Sequence, residues 1–292
     1  MTHQDKINIS QLVAEARVKF SLPQLANKIG GISGPTLSQI ANQKWIDNPS
    51  LNFSDKTWNT LANFFNYATP WVFVTDDKNT RKIMRICRHA QAKSISRLII
   101  GDPGMSKSAS LKHFAKERAN VYYVECASFF TKREFLATVR KSMGLPADAP
   151  SVADQIKGIT ARLRETTKPL LIIDEVDKLR DDIIGIIVAI WNATENGCGI
   201  VLCGSAYMEK RMDRGLRLKK QSYRELYSRI GGEFIELHDL TPDRVEAICK
   251  ANGIVEPSEI RQVVNMAHND LRRVKNEIEA IRYQNAKQQD AA

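Results

Sequence analysis

Three patterns of apolar and polar positions follow one another along the chain. Over residues 1–68, short amphipathic stretches with helical spacing are separated by Gly and Ser. Leu22, Leu25, Ala26 and Ile29 share one helical face behind a capping Ser21, and Gly30-Gly31 ends that helix. Ser33 caps a second helix, with Pro35 in its first turn and Leu37, Ile40 and Ala41 on its apolar face. Trp58, Leu61, Phe64 and Phe65 continue the helical period and complete a small core, and Tyr67–Pro70 reads as a linker. The pattern then changes. Leu98–Ile100, Val121–Cys126, Pro169–Ile173 and Gly199–Gly204 are short, nearly continuous apolar runs separated by helical stretches. Runs without polar alternation are buried on both faces, which is the habit of a parallel sheet covered by helices. From residue 238 onward the chain is helical and polar, and its last residues, Asn285–Ala292, are expected to fray.

These patterns predict an α/β fold: a parallel sheet with a small helical lid, preceded by an all-α helix-turn-helix domain. The expected boundaries are 1–68, 69–237 and 238–292. No run approaches the roughly 18 apolar residues of a membrane span, and the N-terminus lacks the apolar stretch of a secretory signal. Five cysteines at scattered positions form no CxxC spacing, so reduced thiols and a cytoplasmic location are expected. The 43 Lys and Arg exceed the 33 Asp and Glu by ten, which favours an acidic polymer as partner.

The chemistry is concentrated after the apolar runs. Leu98–Ile100 leads into Gly101-Asp102-Pro103-Gly104-Met105-Ser106-Lys107-Ser108 and then a helix. This matches the phosphate-loop pattern except that Ser106 stands in place of its last Gly. Backbone N–H groups and a helix N-terminus suit phosphates; Lys107 would reach the β- and γ-phosphates of ATP, and Ser108 would bind Mg²⁺. Pro169–Ile173 ends in Asp174-Glu175, the Walker B pattern, in which Asp174 holds Mg²⁺ through water and Glu175 polarises the attacking water. In the first domain, Ser33, Thr36, Ser38 and Gln39 sit on or near the second helix's polar face, where they suit DNA contact. A helical bundle used for protein contacts is the alternative.

The first domain resembles the phage-repressor type of helix-turn-helix, with a turn one residue longer. The rest resembles AAA+ P-loop ATPases. Ser205 stands at the sensor 1 position, Arg229 in the arginine-finger segment with Arg224 as the alternative, and Arg272 at sensor 2 with Arg273 as the alternative. Taken in order, these motifs resemble the phage Mu B family of transposition proteins over nearly the whole chain. That resemblance implies an ATPase, slowed by Ser106 and Ser205, that binds DNA largely without sequence preference. It implies self-association into ATP-dependent helical filaments, target-DNA capture and activation of a transposase, in a bacterial host and from a phage or transposon gene. A helix-turn-helix transcription regulator with an ATPase switch and a helicase loader are the competing readings. Related AAA+ proteins turn the segment after the second strand toward DNA, which here holds Thr131, Lys132 and Arg133. Lys178 with Arg180, and Lys210–Lys220 read as a mobile loop near a subunit interface, are further basic clusters expected to face DNA.

Overall fold

The computed structural model describes residues 1, 3–48, 50–65, 67 and 71–290, with side chains as far as residue 285. Residues 68–70 of the expected linker and residues 291–292 of the tail expected to fray fall outside the described residues, and helix runs as far as Asp290. The chain divides into two compact units, Thr75–Asp239 and Met1–Val74 with Leu240–Ala292.

The elements begin with α1 (His3–Lys19), α2 (Leu22–Ile29), α3 (Gly34–Ala41), α4 (Lys44–Asp47) and α5 (Asp55–Phe64). The central unit holds α6 (Lys78–Lys93), β1 (Ser96–Ile100), α7 (Lys107–Glu117), β2 (Val121–Glu125), α8 (Lys132–Ser142), α9 (Val152–Glu165) and β3 (Leu170–Asp174). It continues with α10 (Asp181–Ala193), β4 (Gly199–Gly204), α11 (Tyr207–Arg217), α12 (Gln221–Arg229) and β5 (Phe234–Glu236). The chain ends with α13 (Pro242–Ala251), α14 (Pro257–Ala267) and α15 (Leu271–Asp290). None of the helices among the described residues is long and apolar enough to cross a membrane.

In the central unit five parallel strands run in the order β2-β3-β4-β1-β5. Successive strand residues point to opposite faces, and the core divides accordingly. Leu98, Ile100, Leu171, Ile173, Ile200 and Leu202 face α8 to α12 in one cluster. Ile99, Leu170, Ile172, Val201 and Cys203 face α6 and α7 in the other, with Leu111 and Phe114. Both faces are buried, which is why the strand sequences show no polar alternation.

In the other unit, α1, α2, α3 and α5 enclose Ile9, Val13, Leu25, Leu37, Ile40, Trp58 and Leu61. Ser21 starts α2 as one half of a capping box with Gln24, and Ser33 Oγ accepts from Thr36 N–H at the start of α3. Gly30 and Gly31 both take positive φ between the helices. The first and last segments of the chain pack together here, a grouping that the pattern along the sequence does not reveal. Asn252, buried at the end of α13, accepts from Val72 N–H at 2.9 Å and donates to Val72 O at 3.2 Å, and Asn59 donates to Gly253 O at 3.1 Å.

The segment 210–220 corrects the sequence expectation. It is not a mobile loop: α11 takes most of it, with Met208, Met212 and Gly215 forming the buried face. Its density of charge hides that apolar period, and Gly215 is the contact that fixes it. A Cβ at Gly215 would lie 2.3 Å from the Tyr223 ring.

Candidate nucleotide site

The strand order assembles this site. β4 lies between β1 and β3, so three strand ends stand side by side at the sheet's C-terminal edge. They deliver the loop from Gly101, then Ser205, then Asp174-Glu175, within about two strand spacings of ~4.8 Å each. In open α/β sheets this edge is the ligand crevice.

The loop folds around its lysine. Lys107 Nζ donates to Gly101 O at 2.7 Å and to Asp102 O at 2.8 Å. Two loop residues have left-handed backbone, Gly104 with φ 82° and Ser106 with φ 63°. The second is the position where the phosphate-loop pattern has Gly, and a side chain there costs about 1–2 kcal/mol. Ser106→Gly is therefore expected to stabilise the protein by about 1 kcal/mol, raising the thermal midpoint by about 2–4 °C. Calorimetry without nucleotide checks this, and a lower midpoint would show that the Ser106 side chain contributes more than it strains.

Asp174 is fully buried at the end of β3. It continues the face of Leu170 and Ile172, the face that α7 covers. Its Oδ1 accepts from Glu175 N–H at 2.9 Å and its Oδ2 accepts from Tyr123 O–H at 2.8 Å. Burial and the neighbouring carboxylate push the Tyr123 phenol far above its ordinary value, so it remains a donor. Sequence reasoning missed Tyr123. Its only signal is a polar-tipped aromatic in a strand that pairs with β3, with Tyr123 opposite Ile172. Tyr123→Phe would leave a buried carboxylate oxygen without its donor and is expected to lower stability by about 2 kcal/mol. Urea unfolding reads that loss, and an unchanged midpoint would show that Asp174 does not depend on the phenol.

Glu175 leaves the strand in a left-handed conformation, φ 56°, and its carboxylate pairs with Lys178. The hydrogen bond from Lys178 raises that ammonium's pKa. Ser205 is also engaged: its Oγ donates to Asp177 Oδ2 at 2.7 Å, and its N–H donates to Asp177 Oδ1 at 3.1 Å. A Cβ on Gly204 would come within 2.9 Å of that carboxylate, so the glycine permits the approach. Asp177 was missed as well; two acids already accounted for the Asp-Glu-Val-Asp run.

Ser108 lies on the first turn of α7, so one hydroxyl and one carboxylate are available as hard oxygen donors on one face of the sheet. A small divalent cation that takes its other ligands from water and phosphate fits such a sparse set. Among the described residues no group of three or more His, Cys, Asp or Glu side chains could hold a metal ion.

Arg229 ends α12 near the opposite, N-terminal edge of the sheet. It lines a cleft of about 610 Å³ with Arg224, Glu195 and Arg97 at the start of β1. Its guanidinium pairs with Glu195, donates to Asn192 Oδ1 at 2.8 Å and lies over the Trp191 ring. Arg272 and Arg273, both exposed, lie on the first turn of α15 in the other unit. Thr131 caps α8: its Oγ1 accepts from Glu134 N–H at 3.3 Å, and Glu134 accepts from Thr131 N–H at 2.7 Å. Lys132 reaches Asp182 at 3.6 Å and Arg133 donates to Pro150 O at 3.4 Å. Phe129, just before them, is 74% exposed. In the other unit, Ser33 and Thr36 are tied to each other at the start of α3, with Ser38 and Gln39 half-buried on it.

Residues 93–212 match the family model described as AAA domain. The central unit has the AAA+ P-loop fold. The chain also resembles the B proteins of Mu-like phages. The Mu-like prophage FluMu DNA transposition protein B of Haemophilus influenzae is 26% identical over 186 residues, 63% of each chain, so the match spans less than two thirds of that relative. The ATP-dependent target DNA activator B of Escherichia phage Mu is 26% identical over 237 residues, covering 77% of this chain and 72% of the relative. Among solved structures, the Aeropyrum pernix ORC1 protein in complex with DNA has a TM-score of 0.54 at 16% identity. It covers 79% of this chain and 64% of that one, a likeness of the AAA+ fold alone.

Proposed function

We propose that the protein is an ATPase that binds and assembles on DNA in an ATP-dependent way, captures it as a transposition target and activates a transposase. The observation that carries this reading is the meeting of the Lys107 loop, Asp174-Glu175 and Ser205 on one edge of an AAA+ sheet. The names of the relatives, target DNA activator and transposition protein, support the biological context.

In this reading the loop N–H groups and Lys107 bind the ATP phosphates. Ser108 and Asp174 would hold Mg²⁺, which supplies charge neutralisation on those phosphates. Tyr123 keeps the Asp174 carboxylate oriented. Glu175, once free of Lys178, accepts a hydrogen bond from the attacking water and polarises it, and Ser205 with Asp177 fixes the neighbouring strand end. Arg229 serves the nucleotide of a neighbouring copy, and Arg272 is assigned to sensor 2, binding ATP, as the family resemblance implies. DNA contact is assigned to Thr131, Lys132 and Arg133 and, in the first domain, to Ser33, Thr36, Ser38 and Gln39.

Electron microscopy and co-sedimentation with random-sequence duplex test this directly. Ordered assemblies with ATP and Mg²⁺, dissolving with ADP, are the expected result. A footprint confined to one palindrome without assemblies would favour the transcription regulator, and loading of a replicative helicase would favour the loader.

A further inference from the structure

Helices α11 and α12 bound a second concave site in the central unit. We propose that this cavity and its rim bind the sugar-phosphate backbone of duplex DNA, as a contact separate from both the nucleotide loop and Thr131–Arg133. The inference rests on the DNA-binding reading above and adds a site to it.

The cavity measures about 410 Å³ and is lined by Lys210, Arg211, Arg214, Arg217 and Lys220 against one acid, Asp181. Its floor is fixed by ion pairs and hydrogen bonds around Asp181. Arg211 donates to Asp181 Oδ1 at 2.7 Å, to Tyr223 Oη at 2.7 Å and to Asp177 O at 3.2 Å. Lys220 and the Tyr223 hydroxyl complete the set around Asp181. Burial pushes the Asp181 carboxyl up, but the hydrogen bonds from Lys220, Tyr223 and Arg211 outweigh it and hold the group well below the ordinary range. Two cations are therefore committed to the one acid.

Lys210, Arg214 and Arg217 remain. All three are exposed and form no ion pair among the described residues, although Glu209 and Asp213 share their helix. With Tyr207, which is 60% exposed, they recur at steps of three or four along one side of α11, away from the buried Met208 and Met212. From Lys210 to Arg217 the helix rises about 10 Å. Phosphates of one strand advance about 3.4 Å each along a duplex axis, so the three cations reach along roughly three of them. A compact phosphate or a nucleotide would engage the cavity but not that length. An acidic protein surface ordinarily seats on a desolvated apolar or aromatic anchor. Here, of the two aromatics in the lining, Tyr223 is already buried under Gly215, and Tyr207 stands out in the cation row, where its hydroxyl suits a phosphate oxygen.

The test uses the full chain with Lys210→Ala, Arg214→Ala and Arg217→Ala combined. Ala suits an exposed helix position, so α11 should persist. Binding to a random-sequence duplex is followed by fluorescence anisotropy across a salt titration, with ATP and Mg²⁺ present. Loss of three phosphate contacts should flatten the slope of log K against log salt by about 2.7 and weaken binding at least tenfold near physiological salt. Affinity for a fluorescent ATP analogue should stay unchanged. An unaltered slope in a variant that still binds nucleotide would overturn the proposal. If the wild-type chain itself does not bind duplex, the broader reading falls with it.

A footprint on the wild-type chain removes any dependence on the variant's folding. Lys210 should be protected from acetylation by duplex but not by inorganic phosphate or ATP alone, with the exposed Lys157 as internal reference. Protection by polyglutamate and not by duplex would assign the site to an acidic polypeptide and overturn the proposal. Equal acetylation with and without duplex would overturn it as well.

Discussion

Lys107→Ala is expected to weaken ATP binding by roughly 10²–10³-fold and to abolish ATP-dependent assembly on DNA. The ammonium stands at the centre of the loop, held by the carbonyls of Gly101 and Asp102. Those are neutral acceptors, which a β- or γ-phosphate oxygen replaces with a charged one. At ~4 Å and an effective dielectric near 20, one such charge pair contributes about 4 kcal/mol. Exchanging away the two carbonyl bonds offsets part of that, leaving about 3–4 kcal/mol, and each 1.4 kcal/mol is about tenfold in affinity. Titration with a fluorescent ATP analogue reads the effect. Because the same lysine also orders the loop, the thermal midpoint without nucleotide is measured alongside. Near-normal affinity in a folded variant would remove Lys107, and with it the loop, from the nucleotide site.

Much of that site could be read from residue order. The apolar runs at Leu98–Ile100, Leu170–Ile173 and Gly199–Gly204 became β1, β3 and β4 because nothing in them can face water. The loop after β1 and the acids after β3 follow from where such strands end. Ser106 was legible too: a Ser at a Gly position takes the positive φ that Gly would have taken. What stayed hidden depends on contacts between distant residues. Tyr123 reads as an ordinary strand aromatic until β2 is placed beside β3, and Asp177 is one acid among several until β4 brings Ser205 to it. The misreading of 210–220 has a different cause. Six cations in eleven residues obscure Met208 and Met212, whose spacing alone carries the helical signal. The packing of the first segment with the last, through Asn252 and Val72, leaves no local trace at all.

Arg229→Ala is expected to lower ATP turnover by about 10³-fold or more while leaving ATP affinity within a few-fold of the wild type. The geometry argues for action between copies. Arg229 shares its cleft with Ser96 and Arg97 at the start of β1, whereas the nucleotide loop begins after the end of that strand. Five residues of extended chain put about 15 Å between the two ends, beyond the reach of an arginine toward its own nucleotide. In the free chain Glu195 and Asn192 occupy the guanidinium. A partly exposed pair of this kind holds by only about 1 kcal/mol, so it delays engagement less than tenfold and does not compete with a developing γ-phosphate charge. The mixing experiment separates the possibilities. Lys107→Ala chains bind ATP too weakly to fill their sites but carry an intact Arg229, and Arg229→Ala chains bind ATP but lack the arginine. Together they should recover a measurable fraction of turnover that neither has alone. If Arg229→Ala keeps wild-type turnover, Arg224 in the same cleft becomes the finger. If turnover is lost and mixing restores none, Arg229 supports its own α12 through Glu195 and Asn192 instead of reaching a neighbour.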